Sequence, residues 1–80
     1  MPKGITIAQV IATISGPGCG IHGEIDLQKP LKQVFSVTAA SLWISLVSVA
    51  FVDVPDDVLS AAPDDTIATV ADRIVAYYAS

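Results

Sequence analysis

Cys19 and His22 stand as Cys-x-x-His in a glycine-rich stretch. That spacing is half of a zinc site, and the chain has no second pair to complete it, so no metal is expected. As a nucleophile pair they would need a third, orienting group and a cleft. A small buried thiol and a loop histidine are the simpler expectation. Gly16-Pro17-Gly18-Cys19-Gly20 is not a phosphate loop, because no Gly-Lys-Ser/Thr follows it. Asp56/Asp57 and Asp64/Asp65 could gather a cation. Each pair follows a proline, however, and acids at a helix start are explained by capping and the helix dipole. The remaining reactive groups are hydroxyls: Ser36, Thr38, Ser41, Ser45 and Ser48 fall in one stretch. By residue type alone these are ordinary helix-surface or N-cap residues.

The frame available to position such groups is small. Eighty residues make one domain, taken as residues 1–80, and such a domain buries about 60–65% of its unfolded surface. Hydrophobic residues are 52% and charged residues 15%, which excludes a disordered chain. The net charge of −4 is the wrong sign for a nucleic-acid-binding domain. One cysteine excludes an internal disulfide. The N-terminus carries Lys3 but no apolar run of signal-peptide type, so a cytoplasmic protein is expected.

Thr6 reads as an N-cap, followed by Ile7, Val10, Ile11 and Ile14 on one stripe of an amphipathic helix. Gly16-Pro17-Gly18 stops it. Residues 16–35 read mostly as a long loop, with Ile21, Ile25, Leu27, Leu31 and Val34 able to pin it to a core. A second helix is expected over about Ser36–Val52. It would carry Val37, Ala40, Ser41, Ile44, Val47 and Ser48 on one face and Leu42, Leu46 and Val49 on another; its β-branched content leaves a strand open. Pro55-Asp56-Asp57 starts a short helical turn, and Pro63-Asp64-Asp65 opens the last helix. There Ile67, Val70, Ala71, Ile74, Val75 and Tyr78 keep the cleanest period in the chain. Tyr78 is expected in the core and Tyr77 on the surface.

This order of elements resembles the acyl carrier and peptidyl carrier protein family. Val52-Asp53-Val54-Pro55-Asp56-Asp57 is similar to the family's stretch leading into its third helix. Asp65-Thr66-Ile67-Ala68-Thr69-Val70-Ala71-Asp72-Arg73-Ile74 is similar to its fourth helix, and Glu24-Ile25-Asp26 through Pro30-Leu31-Lys32-Gln33-Val34 to its loop phrase. The resemblance covers residues 6–79 and implies an all-α fold, a four-helix bundle with three main helices, a short third helix and a long loop after the first. It implies a carrier rather than an enzyme. A phosphopantetheinyl transferase would attach 4′-phosphopantetheine, from coenzyme A, to one serine. The arm would then carry acyl or aminoacyl thioesters to synthase or ligase enzymes of fatty-acid, polyketide or peptide assembly.

The family's serine sits in Asp-Ser-Leu, which this chain lacks. Three registers compete. Ser36 keeps the family's distance to Pro55, with Phe35 standing where the aspartate belongs. Ser41 matches locally through Val34-x-x-Val37-Thr38-Ala39-Ala40-Ser41-Leu42, with Ala40 replacing the aspartate. The third register puts Thr38 at the serine position and implies a member that carries no arm.

From Gln33 to Val52 there is no charge, where the family carries acids that dock on basic partners. Trp43, Leu46, Val47 and Phe51 are not expected to fit together into one small core. An exposed subset would form an apolar docking patch for a partner, a neighbouring domain or a second copy, giving a homodimer; alternatively, Ile21, Leu27 and Leu31 cover it. Two rival functions follow: a carrier-fold adaptor without the arm, and a small membrane or self-associating helical protein built on residues 33–52.

Overall fold

The computed structural model describes residues 5–79; Lys3 lies outside them. The described residues form an all-α domain with no strand, only an isolated bridge between Pro30 and Thr66.

Helix α1 spans Ile7–Ile14. Thr6 caps it as expected: its side chain accepts from the Gln9 N–H at 3.1 Å, and Gln9 Oε1 accepts from the Thr6 N–H at 2.9 Å. Val10 and Ile14 are fully buried, Ile11 is half-buried and Ile7 is exposed. Gly16 follows the last turn, at a place where a Cβ would sit 2.7 Å from the Ala12 carbonyl oxygen, so only glycine fits without a shift. A 3₁₀ turn, Pro17–Cys19, follows and closes on Gly20 at φ 83°, in the left-handed region.

The stretch 16–35 is more ordered than a loop reading expects. Besides the 3₁₀ turn it holds α2, Leu31–Val34. Four residues cannot sustain a helix alone, and this one is anchored from outside: the Leu31 N–H donates to the Asp65 carbonyl at 2.7 Å and the Lys32 N–H to that of Pro63 at 3.0 Å. The Ala68 N–H donates to the Leu27 carbonyl at 3.3 Å. These bonds join residues more than thirty positions apart, so no local pattern announces them.

Helix α3 spans Val37–Ala50 and settles the strand alternative against it. Its buried seam differs from the expected face. Trp43 and Val47 are buried and continue into Phe51, with Ile44 and Leu46 half-buried, whereas Val37 is 86% exposed and Ser41 is exposed. The expectation that Trp43, Leu46, Val47 and Phe51 cannot share the core fails. Phe35 supplies a ring 5.5 Å from that of Trp43, stacked at 28°, and the indole N–H donates to the Ile14 carbonyl at 2.7 Å. Ile21 and Leu31 are buried in the same core and Leu27 packs against it.

Helix α4, Asp56–Leu59, follows Pro55 with both acids in its first turn. Helix α5 spans Ile67–Ala79 and buries Ile67, Val70, Ala71 and Ile74. It begins later than expected: Asp64 and Asp65 precede it, and its first turn holds no acid. Instead the Thr66 hydroxyl accepts from the Thr69 N–H at 3.1 Å. The Asp65 carboxylate accepts from the Ala62 N–H at 2.8 Å and pairs with Arg73 at 3.1 Å. Arg73 also donates to the Ser60 carbonyl at 2.8 Å, so one side chain ties α5 to the connection after α4. Tyr78 packs against the core, and the more exposed Tyr77 donates to the Asp53 carbonyl. Helix α1 lies along α5, α4 packs on α5, and α3 closes over the 3₁₀ turn and α4. The expected order of four helices therefore holds, with α2 added.

Candidate functional site

Ser36 is the N-cap of α3. Its backbone is extended (φ −67°, ψ 167°), and its Oγ accepts from the Ala39 N–H at 3.1 Å. Phe35 before it is also extended, since α2 ends there. Two extended residues between two helices turn the Ser36 side chain outward while the Phe35 ring goes in against Trp43. The hydroxyl is exposed at the positive end of a 14-residue helix. The first-turn N–H groups of Val37 and Thr38 have no partner within the helix and face the same end.

Beside Ser36 runs a groove of about 650 Å³ between α3, α2 and the connection 60–63. Leu31, Phe35, Val37, Ala40, Ile44, Ala61 and Pro63 make its walls apolar. Ser36 and Ser41 both line it, so the structure brings the two candidate serines onto one surface. They differ in setting. Ser41 lies in the second turn, where its carbonyl already accepts from the Ser45 hydroxyl at 3.1 Å and the backbone N–H groups are spent on the helix ladder. Thr38 is exposed but does not line the groove. Among the described residues, Lys32 is the one charged side chain in the lining, and its ammonium meets Asp64 at 2.7 Å. Both ends of that pair are exposed, so it contributes little to stability.

No carboxylate, histidine or cysteine lines the groove among the described residues. Cys19 is buried, which pushes its thiol above the ordinary range, while His22 is exposed in the loop. The described residues contain no group of three His, Cys, Asp or Glu side chains able to hold a metal, and no helix long and apolar enough to cross a membrane.

Sequence reasoning missed the groove's far wall. Ala61 and Pro63 carry no chemical signal, and their connection is held by bonds from the Lys32 N–H to the Pro63 carbonyl and from Arg73 to the Ser60 carbonyl. In comparisons with known proteins no family model, no curated protein and no solved structure matches the chain.

Proposed function

We propose that this chain is a carrier domain of the acyl carrier type, with Ser36 the residue that takes 4′-phosphopantetheine. One observation carries the reading: an exposed hydroxyl caps the long helix at the mouth of an apolar groove. The order of the helices supports the same reading, a four-helix carrier bundle with α2 as an added turn.

The residues present suit the group. The Val37 and Thr38 N–H groups and the helix dipole favour a phosphodiester on the Ser36 oxygen. Lys32, four residues earlier, stands on the same rim, its ammonium paired with Asp64. The apolar walls give a thioester-bound chain a surface out of water. When bound, the arm supplies the thiol that holds the cargo. The chain's own residues position the oxygen, balance the phosphate charge and shelter an apolar cargo; bond making and breaking fall to partner enzymes, and the transferase, which draws on coenzyme A, supplies the base.

A second reading has its own observation. Phe35 occupies the place of the family's aspartate and is committed to packing on Trp43. A chain that gave up that carboxylate fits an adaptor that no longer takes the arm.

Intact mass after incubation with coenzyme A and a broad-specificity phosphopantetheinyl transferase separates the two. Wild type and Ser41→Ala gain one phosphopantetheine unit, and Ser36→Ala and Ser36→Asn gain none. Folded wild-type protein that gains nothing favours the adaptor. A gain that survives Ser36→Asn and disappears in Ser41→Ala moves the site to Ser41.

A further inference from the structure

Phe35, in the place of the family's aspartate, borders two cavities. One is the apolar groove beside Ser36; the other, about 460 Å³, lies between the stretch 20–29 and the end of α2. Among the described residues Phe35 alone lines both. The chain crosses from one to the other at this point: Gln33 and Val34 line the second cavity, Ser36 and Val37 the groove. The ring is a fixed partition, since it stacks on Trp43 and the indole is itself tied to the Ile14 carbonyl. We propose that Phe35 makes the groove select acyl cargo over aminoacyl cargo. This rests on the carrier reading above and names the cargo of the same site.

The cavities on the two sides of the ring differ in charge. His22, Glu24, Asp26 and Lys29 line the second. The groove holds no acid among the described residues, and its one cation, Lys32, is paired with Asp64 at the rim. An aminoacyl group carries an ammonium on the carbon next to its thioester carbonyl. Drawn into the groove, that ammonium loses water and meets the hydroxyls of Ser41 and Ser60 but no carboxylate. A charge buried without an opposite charge is costly. The acids that would balance it, Glu24 and Asp26, stand on the other side of Phe35. An alkyl chain meets no such cost, because Leu31, Val37, Ala40 and Ile44 take it out of water.

Chains attached without the transferase test the selection. Ser36→Cys in a Cys19→Ala background leaves one thiol in the full chain. Hexyl or ω-aminohexyl methanethiosulfonate converts that thiol to a mixed disulfide and releases methanesulfinate. Melting temperatures are compared with methyl-labelled protein at high salt, which screens the general attraction of a −4 molecule for a cation. The hexyl chain raises the melting temperature by about 4 °C or more, and the aminohexyl chain leaves it unchanged. A hexyl chain that gives no rise overturns the proposal, as does an aminohexyl chain that gives an equal one. Phe35→Ala joins the two cavities, so the aminohexyl chain gains and the gap between the two labels narrows. Glu24→Gln with Asp26→Asn in that variant restores the gap. Circular dichroism checks folding; where Phe35→Ala unfolds, Phe35→Leu opens less of the partition and narrows the gap by less. A gap that a folded Phe35 variant leaves unchanged overturns the role of Phe35. Intact mass reads the carrier proposal separately: no gain of the arm, with the gap between labels present, refutes the arm and upholds the selection by Phe35.

Discussion

Replacing Trp43 with phenylalanine tests the packing that orients α3 and so places Ser36. The indole is 2% exposed, and its N–H donates to the Ile14 carbonyl at 2.7 Å. That carbonyl ends α1 and has no N–H of its own helix to accept from. Phenylalanine keeps one ring against Phe35 and removes the donor, leaving a buried acceptor unpaired at a cost of about 1–3 kcal/mol. The lost ring area adds roughly 1 kcal/mol after partial relaxation. The sum, about 2–4 kcal/mol, is a large part of the roughly 4–12 kcal/mol expected for a domain of this size. At about 4–8 °C per kcal/mol the melting temperature falls by roughly 8–32 °C. Urea unfolding followed by circular dichroism at 222 nm reads the loss as a lower midpoint at unchanged slope. Leu42→Ala, one residue away on the exposed face, is the control and shifts stability by less than about 0.5 kcal/mol. If the two variants cost the same, α3 is rotated about its axis and the placement of the Ser36 groove falls with it.

Ser36→Ala loses the α3 cap and about 1 kcal/mol, whereas Ser36→Asn keeps the cap and stays within a few tenths, read by thermal unfolding. Asp65 is held below the usual carboxylate range, foremost by the Ala62 N–H and also by Arg73, against a partial burial that pushes it up. Its contribution to stability is thus present above the unfolded carboxylate value of about 3.9 and lost as pH falls through the lower folded value. Asp65→Asn therefore shows a shallower fall in melting temperature on acidification than wild type. Gly20→Ala forces a Cβ into the left-handed region and to 3.2 Å from Leu46 Cδ1, and lowers the unfolding free energy read from urea titration by about 1 kcal/mol. Cys19, buried with its thiol raised, resists alkylation in the native protein and reacts on unfolding, which mass spectrometry follows against urea.

Much of the fold is legible in local signals. The Thr6 cap, the Ile7-to-Ile14 stripe and the period from Ile67 to Tyr78 each sit on polar-and-apolar contrast, and contrast is what periodicity reads. Ser36 could be singled out by its distance to Pro55, but Ser41 matched as well locally. Only the course of the chain separates a cap from a mid-helix hydroxyl. Asp64 and Asp65 mislead for a related reason: a proline followed by two acids opens a helix at Asp56, yet eight residues later the same phrase precedes one, with Asp65 turned back onto Ala62 and Arg73.

The amino-acid pattern alone marks where α1, α4 and α5 run to within a few residues, leaves helix and strand both open over α3, and determines that the stretch 33–52 carries no charge. Tertiary structure decides which side of α3 is inside. That helix is apolar nearly all round, so burying one side is little better than burying another, and no period selects between them. The choice falls to partners distant in sequence: the Ile14 carbonyl that takes the Trp43 N–H, the Phe35 ring, and the connection 60–63 held by Lys32 and Arg73. Those contacts turn Trp43 in, leave Leu42 and Val49 out, and set Ser36 at the mouth of a groove.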